Sequence, residues 1–383
     1  MHSPFLISHV LVTYTCSIYN KEHQFTTAMA SLSDYTVEEI VAMSLWQRLS
    51  LYPWKIEFFA IGVMVAYFVI YKVGAAYNDK IATKFINSTV PVLKENFFQV
   101  GVTQKELYAK DDDQHFSFYA SGRTRIESMI AKIELQARQN IFMWVIESVV
   151  SFFFEAIPSV DDIVTVEFQF DEEASEKFDN FIWAVVTKDK MDKYRNDNYY
   201  LSLSKTSEST KLPNQFVFMN EVPEMSDVLF TKKLSDHIAA NVSTLRYMAI
   251  TDQPSDKPFK IAELKPSKKL IMQFNLSSND AQLDAITKMF NYITNDYLDL
   301  IVNRATFRPE LTRKVKKTRE TEYSKLKKML DEVKKEELYQ QKVEEQKKLR
   351  ASMTPQEQQK LAKKQQDKKQ RKQLNRQKVR GSM

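Results

Sequence analysis

A chain of 383 residues has room for one sizeable core with extensions, or for two domains. Five glycines argue against glycine-rich phosphate loops, and a single cysteine, Cys16, excludes an intramolecular disulfide and any cysteine-based zinc site. The net charge of +6 hides a division: residues 304–383 hold 26 Lys and Arg against 11 Asp and Glu, leaving 29 against 38 in the rest. An acidic body with a basic tail points to a polyanionic partner, against the plainer reading of a merely solvated tail.

The first 20 residues carry a candidate signal sequence. Phe5–Cys16 is apolar enough, but no basic residue precedes it, and the Ala28-Met29-Ala30 triplet lies far beyond it. Residues 21–52 form a short segment, too small to fold alone, expected on the luminal side. Glu22, Asp34, Glu38 and Glu39 are its only acids, a thin supply of oxygen ligands for calcium.

Residues 53–73 are expected to cross a membrane. Phe58–Tyr71 carries no charge, yet a bare run of ~10–14 apolar residues also suits a buried core helix. The flanks decide: Tyr52 and Trp54 at one end, and Tyr71 and Tyr77 at the other, resemble interfacial aromatic belts. Lys72, Lys80, Lys84, Lys94 and Lys105 follow the run, while only Lys21, Arg48 and Lys55 precede or open it, which places the C-terminal bulk in the cytosol. Sequons at Asn87, Asn241 and Asn275 would then go unglycosylated. Gly62 and Ala66 make a small-xxx-small pair that could admit a partner helix, or could simply face lipid.

Residues 74–105 read as a membrane-proximal helical connector interrupted at Pro91. Residues 106–305 read as a cytosolic α+β domain. Ile163–Phe170 (IVTVEFQF) alternates cleanly, and Phe116–Ala120, Phe181–Thr187, Phe216–Met219 and Lys269–Phe274 are further strand candidates. Helical patterns fall at 123–155, 188–197, 226–242 and 279–303. Within the first, Ile141–Phe154 could pass for a second span, but Glu147 at its centre would cost ~2.5 kcal/mol or more in a bilayer. A core helix is the expectation, with a membrane-surface helix second. The fold class is thus α+β, in a single-pass membrane protein with a long basic helical extension.

No nucleophile elbow, Walker loop, dinucleotide fingerprint or zinc-protease motif occurs. The five histidines are scattered, and Asp111-Asp112-Asp113 before His115 reads as a solvated loop rather than a metal corner. The chain is read as non-enzymatic, with neither cofactor nor metal.

Residues 306–383 form the tail. From Pro309 to about Arg350 the composition is that of a long helix. Its Tyr323, Leu326, Leu330, Val333 seam breaks at Glu337, so a helix laid on another surface fits better than a free coiled coil. Thr354-Pro355-Gln356-Glu357 signals the start of a second helix running toward Lys378. That helix carries Lys360, Lys363, Lys364, Lys368, Lys369, Arg371, Lys372, Arg376, Lys378 and Arg380, against only Glu357 and Asp367. Such a surface suits phosphate backbones. No aromatic lies beyond Tyr339, so base stacking is unavailable and contact with structured RNA would follow shape and charge. An anionic leaflet competes for the same tail.

Four segments in order, WKIEFFAIGVMVAYFVIYKVG, SFYASGRTRIESM, LPNQFVFMNEVPEMSDVLFTKKLSDHIA and KKQRKQLNRQKVRGSM, resemble the calumin family, the coiled-coil subunit of the PAT complex of the endoplasmic reticulum. The resemblance runs from about Trp54 to the C-terminus. It implies a factor associated with the ribosome and the Sec translocon and paired with the small membrane protein Asterix. Together they would shield partly hydrophilic transmembrane segments of multipass clients. Relatives also carry a long acidic luminal region linked to calcium; residues 21–52 do not supply it, so calcium is not carried over. The rival is a membrane-anchored structural adaptor whose tail binds anionic lipid or a partner helix.

Overall fold

The computed structural model describes residues 36–52, 54–103, 106–153, 161–276 and 279–352, with Gln366, Asp367, Gln370 and Arg371 beyond them. The candidate signal sequence therefore lies outside the described residues. The chain divides into two compact units, one comprising residues up to 77 together with 137–155, the other comprising 78–136 and everything from 156 onward.

In the first unit, α1 (Val37–Ala42) and α2 (Leu45–Leu51) each open on a capping box. The Glu39 carboxylate accepts from the Thr36 amide at 2.9 Å, and the Gln47 side chain accepts from the amide of Ser44 at 3.1 Å. The long helix α3 (Lys55–Asn96) follows, its residues to Tyr77 belonging here. The unit is completed by α4 (Ile141–Phe153), whose first turn is capped by Asn140 accepting from Met143 at 3.2 Å.

The second unit is built on a sheet in which every described pairing is antiparallel. Its strands are β1 (Gln99–Val100), β2 (Ala109–Lys110), β3 (His115–Arg123), β4 (Ile126–Glu134), β5 (Ile163–Phe170), β6 (Trp183–Thr187), β7 (Lys205–Ser207), β8 (Phe216–Asn220), β9 (Leu245–Thr251) and β10 (Lys269–Asn275). They run in the order β1-β3-β4-β5-β10-β9-β6-β8-β7, with β2 alongside β3. Short helices α5 (Glu172–Lys177), α6 (Met191–Asp197), α7 (Tyr199–Ser202), α8 (Met225–Leu229) and α9 (Lys232–Ala240) connect them. After β10 come α10 (Asp280–Tyr292), a π-helical turn at Ile293–Tyr297, α11 (Leu298–Arg304) and the 44-residue α12 (Pro309–Ser352).

One sheet face carries the main core. Val164, Val166, Phe168 and Phe170 of β5 lie in it beside Phe118 and Met272. Phe85 of α3 and Phe290 of α10 cover them, with ring centroids 6.2 Å apart; Phe290 also lies 6.4 Å from Phe168. The opposite face is covered over β9, β6 and β8 by Tyr194 of α6 and by Tyr200 and Leu201 of α7. The architecture is α+β, as the alternating strands and stripe-bearing helices imply.

Four expectations change. Pro91 lies inside α3 rather than interrupting it, because Val90 and Leu93 on either side are buried in the core and hold the helix through the missing amide. The helical pattern at 123–155 contains the strand β4. Its Ile126, Met129, Ile130 and Ile133 mimic helical spacing because a register shift between Ile126 and Ser128 displaces the first apolar residue. The pattern at 226–242 is two helices, broken where Thr231 caps α9 by accepting from the Leu234 amide. Finally, the core helix expected over Ile141–Phe154 is not found: in the described helix Ile141–Phe153, Phe142 to Ile146 are all exposed.

Candidate functional site

The sheet builds a charged socket for α12. Trp183, the first residue of β6, pairs with Asn220 of β8 on one side and Ile250 of β9 on the other. Near the ends of those neighbours, Glu221 and Asp252 therefore flank the start of β6. The Ile182 amide donates to Glu221 at 3.0 Å, and Gln253 donates to Asp252 at 3.0 Å.

Into this socket α12 delivers Arg319. Its guanidinium donates to both oxygens of Glu221, at 2.7 and 3.0 Å, and to both oxygens of Asp252, at 3.0 and 2.6 Å. The side chains of Arg319, Glu221 and Asp252 are 17%, 4% and 1% exposed, so the cluster is sealed. Burial pushes the Glu221 carboxyl up, Arg319 pulls it part of the way back, and the Asp252 charge adds to the rise. The flanking carboxylates hold Arg319 firmly charged despite its burial. One cation shared by two carboxylates leaves an excess negative charge, so the cluster depends on its arginine.

The seam of α12 continues on both sides of this point. Val315 and Leu326 are buried, Leu311 and Leu330 are half-buried, and Glu322 accepts from the Tyr199 hydroxyl of α7 at 3.1 Å. Burial and the Glu322 charge push the Tyr199 phenol up. Of the expected seam, Leu326 and Leu330 face the sheet domain, whereas Tyr323 and Val333 are exposed. From Asp331 to Lys342 every residue is exposed, so α12 leaves the domain as a projecting arm.

Of the ten basic residues proposed for RNA contact, only Arg371 is described; it is helical and exposed. Lys360, Lys363, Lys364, Lys368, Lys369, Lys372, Arg376, Lys378 and Arg380 lie outside the described residues. Gly62 and Ala66 are exposed on α3, and nothing comes within 4 Å of the position a Cβ would take at Gly62. Near that stretch, Val63, Met64, Val65 and Phe68 are also exposed, on the one described helix long and apolar enough to cross a membrane.

Among the described residues no group of three or more His, Cys, Asp or Glu could hold a metal ion. Asp112 instead folds back on its own loop, accepting from the amides of Gln114 and His115 and meeting the His115 ring at 2.8 Å. Sequence reasoning missed Glu221, Asp252 and Arg319. The available signal was an arginine four residues after Val315, three before Glu322 and seven before Leu326, on the side that packs.

These features define an α+β protein with one described helix long and apolar enough to cross a membrane and a second long helix clamped to its sheet. A family model for the PAT complex subunit CCDC47 matches residues 53–372. The chain belongs to the PAT complex subunit CCDC47 family, the one its four segments resemble. It is 28% identical to an endoplasmic reticulum membrane protein of Saccharomyces cerevisiae, over 77% of this chain and 80% of that one. An endoplasmic reticulum membrane protein of Schizosaccharomyces pombe is 26% identical, over 59% and 62%. The PAT complex subunit CCDC47 of Danio rerio is 21% identical, over 60% of this chain and 50% of its own length. The match thus spans about half the length of the vertebrate relatives.

Proposed function

We propose that this protein is a subunit of a PAT-type intramembrane chaperone complex at the endoplasmic reticulum, stationed at the ribosome and translocon to assist multipass membrane proteins. The observation that carries this reading is family membership from residue 53 to 372 in a chain whose long helix α3 leaves its apolar window uncovered. Residues 53–73 cross the bilayer with the N-terminus luminal, and the α+β domain and tail lie in the cytosol. Gly62 and Ala66 offer a close seat for an Asterix-like small membrane protein. The Sec translocon and multipass clients are the neighbours within the membrane.

The clamp at Arg319 supports the rest of the mechanism. An arm fixed to the sheet gives the tail that follows it a fixed point of departure, and ribosomal RNA phosphates take the charge of Lys360 to Arg380. Anchor and tail are then two attachments on one body, and the second, weak one binds at the high effective concentration that the first provides.

The test replaces the ten basic residues with Gln in the full chain. Cosedimentation with ribosomes should be lost while the protein stays in membranes after alkaline carbonate. Unchanged cosedimentation overturns the RNA contact, and binding lost equally from acidic vesicles favours the adaptor reading.

A further inference from the structure

Helix α4 has no place in a water-soluble structure. Five successive residues, Phe142 to Ile146, are each between 43% and 67% exposed. At about 100° per residue, five positions pass once around the axis, so every side of the helix leaves apolar surface uncovered by the described residues. All five are apolar. Glu147 is its one charged residue, half-buried, and in a helix of thirteen residues that carboxylate stays within reach of the headgroups; a helix otherwise so apolar belongs in a core or in a membrane, and the first is excluded by its exposure.

Its neighbours locate it further. The Phe142 ring stacks on Tyr67 of α3 with centroids 5.8 Å apart. The turn leading into α4 lies directly on Gly74, where an added Cβ would stand 2.7 Å from the Gln139 nitrogen and closer still to the Arg138 carbonyl. Arg138 sits 5.3 Å over the ring of Tyr77. An arginine and a tyrosine together at the end of an apolar helix suit the layer where charged headgroups meet hydrocarbon. The Ser148 hydroxyl donates to the Trp144 carbonyl at 2.7 Å, satisfied within the helix as lipid requires. Thirteen residues reach only about 20 Å, short of the ~30 Å hydrocarbon layer.

We propose that α4 is a second membrane-inserted element, a short helix sunk below the headgroups in the leaflet that holds the Tyr67–Tyr77 end of α3, with phospholipid rather than protein around it. The Phe142–Tyr67 stack runs the apolar surface of α4 into that of the span, so the lipid that meets α3 there meets α4 as well. Continuity with α3 supplies the attachment. The inference rests on α3 spanning the membrane, and the experiment reads the two separately.

In the full chain with Cys16→Ser, single cysteines are introduced as Met143→Cys and Val145→Cys, about 200° apart around α4. Val65→Cys reports on α3 and Lys205→Cys on water. Each is labelled with an environment-sensitive fluorophore and reconstituted in vesicles whose lipids carry nitroxides either near the headgroup or deep in the chain. Both α4 positions should lose most of their emission to the shallow nitroxide and resist aqueous iodide, while position 65 answers to the deep one. If 65 responds so and the α4 sites behave like 205, the inference fails and the span stands. If 65 itself is open to iodide, the span fails and the inference with it. Shielding of the α4 sites from iodide without quenching by either lipid also overturns the proposal, in favour of a protein cover.

Discussion

Helices α3 and α12 are nearly equal in length, 42 and 44 residues, and each is seated over only part of its course. On α3 the buried residues, among them Ala82, Phe85, Ile86 and Leu93, lie from Gly74 onward, and the turns before it expose Phe58, Phe59, Met64 and Phe68. On α12 the order is reversed: the seated stretch runs from Leu311 to Leu330, and the turns beyond it, from Asp331 to Lys342, are exposed and rich in Lys, Glu and Gln. On the proposed membrane placement of α3, the difference is one of solvent. Apolar surface left in water forfeits about 25 cal/mol per Å². A single Lys or Asp at the centre of a membrane helix costs ~2.5–3.5 kcal/mol. Neither uncovered half could do the other's work.

The seating also differs in kind, and this is where the comparison is most open to attack. The seat of α3 is apolar and spread over several turns, so it should tolerate single changes. That of α12 converges on Arg319. Arg319→Ala should cost about 3–5 kcal/mol by stranding Glu221 and Asp252 as buried, unpaired charges. Hydrogen exchange should show residues 311–330 losing protection while β3–β5 keep theirs; equal loss in both would mean that the cluster holds the whole sheet. Arg319→Lys should recover only part, since one ammonium cannot serve two carboxylates bidentately.

A smaller effect is expected at Gly74. A leucine there collides with backbone, which cannot step aside as a side chain would, and should cost about 1–3 kcal/mol. Faster exchange in residues 138–144 would report it, whereas an unchanged pattern would mean that the turn is held elsewhere. The smallest effect concerns proton binding. Glu221 titrates above its ordinary 4.5 in the folded protein, so the folded state binds that proton more tightly than the unfolded chain. Stability should therefore fall as pH rises from 4.5 through the raised value and level off above it. Glu221→Gln should abolish that descent and change stability at neutral pH by about 1 kcal/mol. Urea titrations at stepped pH would show whether the slope persists.

How much of the fold and its clamp was legible depended on whether a residue's partners lay in its own segment. In IVTVEFQF one face is apolar and the other polar, and the strand can be read directly. LRYMAIT forms β9 but is buried on both faces, so it offers no alternation to see. IESMIAKIE satisfies a helical period by accident, and only its pairing with β3 and β5 makes it a strand. The length and start of α12 were visible in its composition. Its clamp was not, because Arg319 sits among basic residues that look alike until Glu221 and Asp252 arrive from 98 and 67 positions away. Exposure told against a core position for Ile141–Phe153, whose hydrophobicity alone could not separate core from membrane.

From Asp331 to Ser352 the arm advances about 33 Å at 1.5 Å per residue, with its base held fast at Arg319. A clamped rod has a compass bearing as well as a length. Inserting one residue beyond the clamp would swing everything downstream by about 100°, whereas inserting seven would turn it by only ~20° while lengthening it. In such a rod, where the tip points is encoded by counting, and two sequences of identical composition could aim it in opposite directions.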